Sequence, residues 1–173
     1  TAVFMPDRLE LIKGAPGVRR AHIDQLVAAL WPARRAERRS YAEALAQRNA
    51  LIARGASDDQ LSVWDRELAR HAKALIANRA AAVDAAQQRF LELASELGLT
   101  GEASLRYRTV ADIDPQDEEA YVAALAERRA ADRERGFTTF GPHRDELVVK
   151  LDSREVRTYG SQGQQREQRA EVG

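Results

Sequence analysis

Ser57–Leu97 reads SDDQLSVWDRELARHAKALIANRAAAVDAAQQRFLELASEL, and this stretch sets the architecture. Ser57-Asp58-Asp59-Gln60 fits a capping box, with a hydroxyl at the N-cap and an amide three residues on. From there Leu61, Trp64, Leu68, Ala72, Leu75, Arg79, Ala82, Ala86, Phe90, Leu93 and Leu97 recur at steps of three or four, and Gly98 closes the run. An unbroken helix here has about forty residues and a length of roughly 60 Å, against a usual helix of about 11–12 residues. So long an amphipathic helix either pairs along its seam in an antiparallel coiled coil or protrudes as an arm. The expected partner is the Arg-rich helix from about Ala33 to Arg54, joined through the Gly55-Ala56 turn.

On the N-terminal side, Val3 to Ile12 reads as a strand end and an extended approach. Gly14-Ala15-Pro16-Gly17 leads into a helix from about Val18 to Leu30. Its apolar stripe is Ile23, Leu26, Val27 and Leu30, and Trp31-Pro32 breaks it. On the C-terminal side, Leu105, Tyr107 and Thr109 alternate with Arg106 and Arg108, the pattern of a short strand with one wet face. Asp114-Pro115 opens a further helix, with acids in its first turn and Arg133 and Arg135 in its last, and Gly136 ends it. Phe137–Phe140, Leu147–Leu151 and Arg154–Tyr159 read as strands, followed by a polar tail. The expected class is mainly α with a small β portion. Residues 1–17 form a connection, 18–136 a helical arm and 137–173 a β segment with the tail.

Composition narrows the chemistry. The 173 residues include no Cys, which excludes a disulfide scaffold, a Cys-based zinc site and a cysteine nucleophile. His22, His71 and His143 are far apart, so no metal site is expected. No apolar run approaches the roughly 18 residues of a membrane span, and no signal peptide opens the chain, so a cytoplasmic protein without membrane contact is expected. No Walker A loop, Walker B strand or Ser-His-Asp arrangement is present, and no catalytic residue is assigned.

The 27 basic and 27 acidic residues cancel overall but not locally. Eight arginines face three acids between Arg19 and Arg54, while nine acids face three arginines between Asp84 and Glu119. Arg34, Arg35, Arg38 and Arg39 form a tight stripe at helical spacing and, with Arg19 and Arg20, are candidate DNA-phosphate contacts. Solvated helix faces account for the same pattern. Arg19 and Arg20 sit in a helix's first turn, against its dipole, so either an anionic partner or pairing with Asp24 is implied. His143, Arg144 and Asp145 fill a Gly-Pro corner that reads either as a nucleotide- or DNA-contacting loop or as a turn held by an Arg–Asp pair. Ser161-x-Gly163-Gln164 has the hydroxyl, bare backbone and exposed amides to grip a phosphate, although alone it equally fits a polar turn.

Several of these segments, in this order, resemble the bacterial RecF recombination-mediator family. They are Pro6-Asp7, Leu11-Ile12, Gly14-Ala15-Pro16, Arg19-Arg20 and Ile23-Asp24; Gln47–Leu51 and Trp64-Asp65; Gly141–Leu147; and Tyr159–Arg166. The resemblance implies an ABC-class ATPase, related to SMC and Rad50 heads. Such a protein dimerises with ATP, binds DNA at gaps or single/double-strand junctions, works with RecR and RecO, and promotes RecA loading. It also implies that Ser161, Gly163 and Gln164 contact, in trans, the ATP held by a second subunit. ATP and Mg²⁺ are then cofactors of full-length members, with neither expected on this stretch alone and no ATP turnover by it. His22 replaces a usual aromatic residue, and Glu167–Gly173 is polar where the family continues as an apolar helix, so a partial chain is expected. The resemblance implies a long antiparallel helical arm attached to part of an ABC-ATPase-like α/β head, with 1–17 as the head-to-arm connection and 137–173 as the head's β segments and signature motif. A different reading keeps the arm as a protein-interaction module that docks RecR or a second RecF subunit without touching DNA.

Overall fold

The computed structural model describes residues 15–96, 103–110, 113–114, 116–151 and 154–155. The Pro6–Gly14 motif and the tail with Ser161, Gly163 and Gln164 lie outside the described residues, as does the strand expected beyond Glu155. The elements are α1 (Pro16–Leu30), a 3-10 turn (Pro32–Arg34), α2 (Arg35–Ala53), α3 (Asp58–Glu96), β1 (Ala103–Arg108), α4 (Glu118–Glu127), α5 (Arg129–Arg135), β2 (Glu146–Leu151) and β3 (Arg154–Glu155). The class is mainly helical with a small antiparallel sheet, in the order β1-β2-β3.

The long helix forms as its pattern dictates. Ser57 N–H donates to Gln60 Oε1 at 3.0 Å and Gln60 N–H to Ser57 Oγ at 3.4 Å, so the capping box closes. Leu61, Leu68, Ala72, Leu75, Ala82 and Ala86 are buried at the expected spacing. Each leucine so buried contributes roughly 1.5–3 kcal/mol. α2 stops at Gly55, whose N–H bonds Ile52 O, while Ala56 N–H bonds Leu51 O at 3.0 Å. The chain then reverses: Arg34 meets Asn78, Glu37 meets His71, and Arg48 meets Asp65. These pairings make α2 antiparallel to the first half of α3.

The helical partner covers only that half. Past Arg79, α3 packs on α1 and the sheet instead: Val83 joins Ile23 and Leu147 in one apolar cluster, and Leu105 N–H donates to Gln87 Oε1 at 2.7 Å. The second, larger cluster joins α2 (Tyr41, Ala44), α3 (Leu68, Ala72, Leu75), α4 (Tyr121, Leu125) and Phe140.

β1 pairs with β2 in register from Ala103↔Leu151 to Arg108↔Glu146, and β2 turns back on β3 through Lys150↔Glu155. β1 thus begins two residues before the expected 105 and ends one before 109. On α1 the stripe is narrower than expected, since Ile23 and Val27 are buried while Leu30 is exposed.

The helix expected to open at Asp114-Pro115 starts at Glu118, because Asp117 is its N-cap and accepts from Ala120 N–H at 2.9 Å. Two other expectations fail for a shared reason: side chains take backbone partners. The helix expected up to Arg135 breaks at Arg128. Leu125 O, which would accept Arg129 N–H in a continuous helix, accepts Arg128 N–H and Arg48 Nη2 instead. Phe137–Phe140 is loop rather than strand. The amides of Thr138 and Thr139 donate to Asn49 Oδ1 at 2.8 Å and Asp132 Oδ1 at 2.9 Å, so no ladder forms there.

Candidate nucleic-acid interface and its supporting loop

The loop Gly136–Glu146 is where the helices converge, and arginines hold it. Arg48 of α2 is wholly buried. Its Nε donates to Asp65 Oδ1 at 2.7 Å, while Nη1 donates to Asp132 Oδ2 and Thr138 Oγ1, both at 2.7 Å. Arg129 binds the other oxygen of Asp65 through Nε at 3.0 Å and Nη2 at 2.5 Å. Two cations and two carboxylates therefore neutralise one another in the interior, with most lone pairs engaged. Arg79 of α3 grips Asp24 bidentately at 2.7 and 2.9 Å and donates to Pro142 O at 2.7 Å.

Sequence reasoning misses this network, because Arg48 counts as part of a basic stretch and Arg79 as part of an apolar run. The signal that could find it is helical phase. Arg48 and Asp65 fall on the buried side of their helices, four residues from Ala44 and Leu61.

His143 and Asp145 turn inward. His143 Nε2 lies 3.0 Å from the Thr138 carbonyl, which only a donor can meet, and in the neutral ring Nδ1 accepts from Tyr41 Oη–H at 2.7 Å. The carbonyl thus selects the Nε2–H tautomer of the neutral imidazole. Burial, with the charges of Arg144 and Arg20, pushes the imidazole down to about 4, against the opposing hydrogen bond to Thr138. The Asp145 carboxylate accepts from Tyr107 Oη and from Val110 N–H at 2.9 Å; burial raises its pKa, and those bonds oppose the rise. Both side chains are therefore spent on internal partners rather than held out for a ligand. The Arg–Asp pair of the turn reading does not form either, and Arg144 alone points into solvent from this corner.

The buried imidazole makes stability depend on pH. In the unfolded chain His143 takes a proton near pH 6.5, but in the fold only near 4. The unfolded state therefore binds more protons in this window, and stability is lost as pH falls through it. Between pH 7.5 and 5 this histidine accounts for a loss of about 2 kcal/mol. Thermal melts of the wild type and His143→Gln at both pH values check it: the wild type should lose more than the variant, and equal losses would count against the buried neutral tautomer.

The basic candidates separate into two groups. Arg19 is not presented to DNA: it is buried, with Nε and Nη2 donating to Glu146 at 2.6 and 2.7 Å. Its expected partner Asp24 instead serves Arg79 and Arg38. Arg20 reaches the Asp145 carbonyl at 2.9 Å. The α2 stripe, with Arg34 just before the helix and Arg35, Arg38 and Arg39 on it, stays outside. Arg38 has 66% of its side chain exposed and touches Asp24 at 3.1 Å; Arg39 has 85% exposed and pairs with Glu43 at 2.8 Å. Arg34 lies over the Trp31 ring at 4.5 Å, and Arg35 is exposed. The exposed Arg39–Glu43 pair is worth little and yields readily to a stronger anion, whereas Arg38 shares a largely buried carboxylate with Arg79.

The chain is 39% identical over 170 residues to the DNA replication and repair protein RecF of Anaeromyxobacter sp. (strain Fw109-5), with 94% of the chain matched. The Myxococcus xanthus and Herpetosiphon aurantiacus RecF proteins are 38% and 35% identical over 94% and 95% of the chain. Over that span the chain is similar to RecF proteins. It covers a little under half the length of these curated relatives, 44–46%. No protein-family model matches it. The fold agrees: it superposes with a TM-score of 0.80 on the recombination mediator protein RecF of the RecFOR pathway, solved with ATP, at 23% identity and over 94% of this chain. The Gly141–Leu147 segment that carries part of the RecF resemblance is thus the loop on which three helices converge.

Proposed function

We propose that this chain supplies the arm-bearing portion of a RecF-type recombination mediator, acting in DNA replication and repair by binding DNA in an ATP-dependent manner. On this reading the α2 stripe meets phosphates at gaps or single/double-strand junctions. RecR, RecO and a second RecF subunit are partners, and RecA loading is the outcome. Ser161, Gly163 and Gln164 would meet ATP in trans, with Mg²⁺ accompanying the nucleotide. The observation that supports DNA contact is that Arg34, Arg35, Arg38 and Arg39 all remain exposed while the opposite face of α2 is packed into the core. The exposed acids Asp84, Glu92, Glu96 and Glu119 lie on other elements and would repel DNA, which orients it toward α2.

The test is charge reversal of the four arginines to Glu, with DNA affinity read across a salt series. Affinity should fall by more than tenfold, and the slope of log affinity against log salt should flatten by about 0.9 for each duplex phosphate that is no longer neutralised. Unchanged DNA binding with abolished RecR binding or self-association would instead establish the arm as a docking module.

A further inference from the structure

The two tryptophans have different surroundings. Trp64 packs against the larger apolar cluster, whereas Trp31 belongs to neither cluster. Trp31 ends α1: its N–H donates to Val27 O at 2.8 Å, and the following Pro32 holds it out of the helical conformation. Its neighbours Leu30 and Pro32 are exposed. The Arg34 guanidinium lies over the indole, 4.5 Å from the ring centroid. Among the described residues that guanidinium makes no ion pair, and its hydrogen bond to Asn78 Oδ1 is long, at 3.5 Å. Arg35, Arg38 and Arg39 continue the row of cations along α2.

Ending α1 uses only the backbone of Trp31 and gives no reason for an indole there. An aromatic ring outside the core, beside a row of cations, combines the two parts that hold single-stranded nucleic acid: a π face for a base and charges for the backbone. The group now on that face is replaceable. A guanidinium on an exposed ring is held less firmly than a stacked base, and once released it gains a bidentate phosphate in exchange. A base paired within a duplex has both faces covered by its neighbours and cannot make this contact. The indole has only two side-chain torsions, and its backbone is pinned by the Val27 bond and by Pro32, so little entropy is lost when the ring is covered.

We propose that Trp31 is a stacking platform for an unpaired DNA base, with Arg34 moving from the ring to the adjoining phosphate. This platform rests on the DNA contact proposed above for the α2 stripe, and adds to it a residue that tells a single strand from a duplex.

The experiment titrates the full chain with two DNA probes, a blunt duplex and the same duplex carrying a single-stranded thymidine tail, and compares wild type with Trp31→Ala and Trp31→Phe. Wild type should bind the tailed probe about tenfold more tightly than the blunt one. Trp31→Ala should lose that preference while keeping its affinity for the blunt duplex, and Trp31→Phe should keep part of it. Tryptophan emission should fall when the tailed probe binds wild type. It should not fall in Trp31→Phe, where Trp64, packed against the core, is the tryptophan that remains. If Trp31→Ala melts well below wild type, Trp31→Phe and its emission decide. Equal binding of both probes by wild type, a tail preference unchanged in folded Trp31→Ala, or a fall in emission that survives in Trp31→Phe would overturn the platform and leave the proposed DNA contact standing. A wild type that binds neither probe would remove both.

Discussion

Replacing Arg48 with Met should lower stability by about 3–5 kcal/mol, the usual cost of leaving buried charge uncompensated. For a chain of this size that corresponds to a fall in melting temperature of roughly 10 °C or more. The damage comes from what remains. Asp132 keeps its bonds from the Thr139 amide and hydroxyl but loses its cation, and Thr138 Oγ1 loses a charged donor. Asp65 suffers less, because Arg129 still binds its second oxygen. Arg48→Lys should fall between Met and wild type, since an ammonium restores charge but cannot reach Asp65, Asp132 and the Leu125 carbonyl from one planar fork. Thermal denaturation followed by circular dichroism reads both variants. A Met variant melting within about 2 °C of wild type would mean the quartet is not closed as described.

Gly141→Ala should cost about 2–4 kcal/mol, from two sources that can be separated. Gly141 has φ of 135°, a conformation that a side chain strains. A Cβ there would also lie 2.5 Å from Tyr41 Oη and 3.1 Å from Tyr121 Oη. Tyr41 cannot swing away without giving up its bond to His143, and both tyrosines are buried. Tyr41→Phe removes the nearest clashing atom but leaves the backbone strain. The double variant Gly141→Ala with Tyr41→Phe should therefore be more stable than the sum of the single effects by about 1 kcal/mol. Strict additivity would show that the clash with Tyr41 contributes nothing. The loop's dependence on glycine lies in its conformation and in the two phenols packed over it.

The long periodic helix and the alternating strands are legible in the sequence. The start of α3 follows from Ser57 and Gln60, and its course as far as Glu96 from the steps of three and four along the helix; the expected stop at Gly98 lies outside the described residues. β1 and β2 follow from alternation at Leu105–Arg108 and the apolar run after Glu146. What is not legible depends on contacts across the chain. Arg48 reaches Asp132 and Thr138 over 84 and 90 positions, and Arg19 reaches Glu146 over 127. In a sequence so rich in arginine, a buried guanidinium looks like an exposed one unless its helical phase is weighed. The same blindness makes Phe137–Phe140 look like a strand: its threonine and aromatic residues favour one, but Asn49 and Asp132 claim the amides. Arg19 groups with the DNA candidates on the same ground, and its burial against Glu146 removes it.

The net charge of zero thus conceals a division of labour. Arg19, Arg48, Arg79 and Arg129 are internal parts that hold the Gly136–Glu146 loop and its supports, whereas the α2 stripe remains at the surface to meet an anion. The most direct test measures DNA affinity, at a temperature where both variants are folded, for Arg48→Met and for the four-arginine reversal on α2. Arg48→Met should melt far lower yet bind DNA within about threefold of wild type, while the stripe variant should melt near wild type and lose more than tenfold in affinity. The opposite pattern, affinity lost with Arg48 and kept without the stripe, would contradict this division.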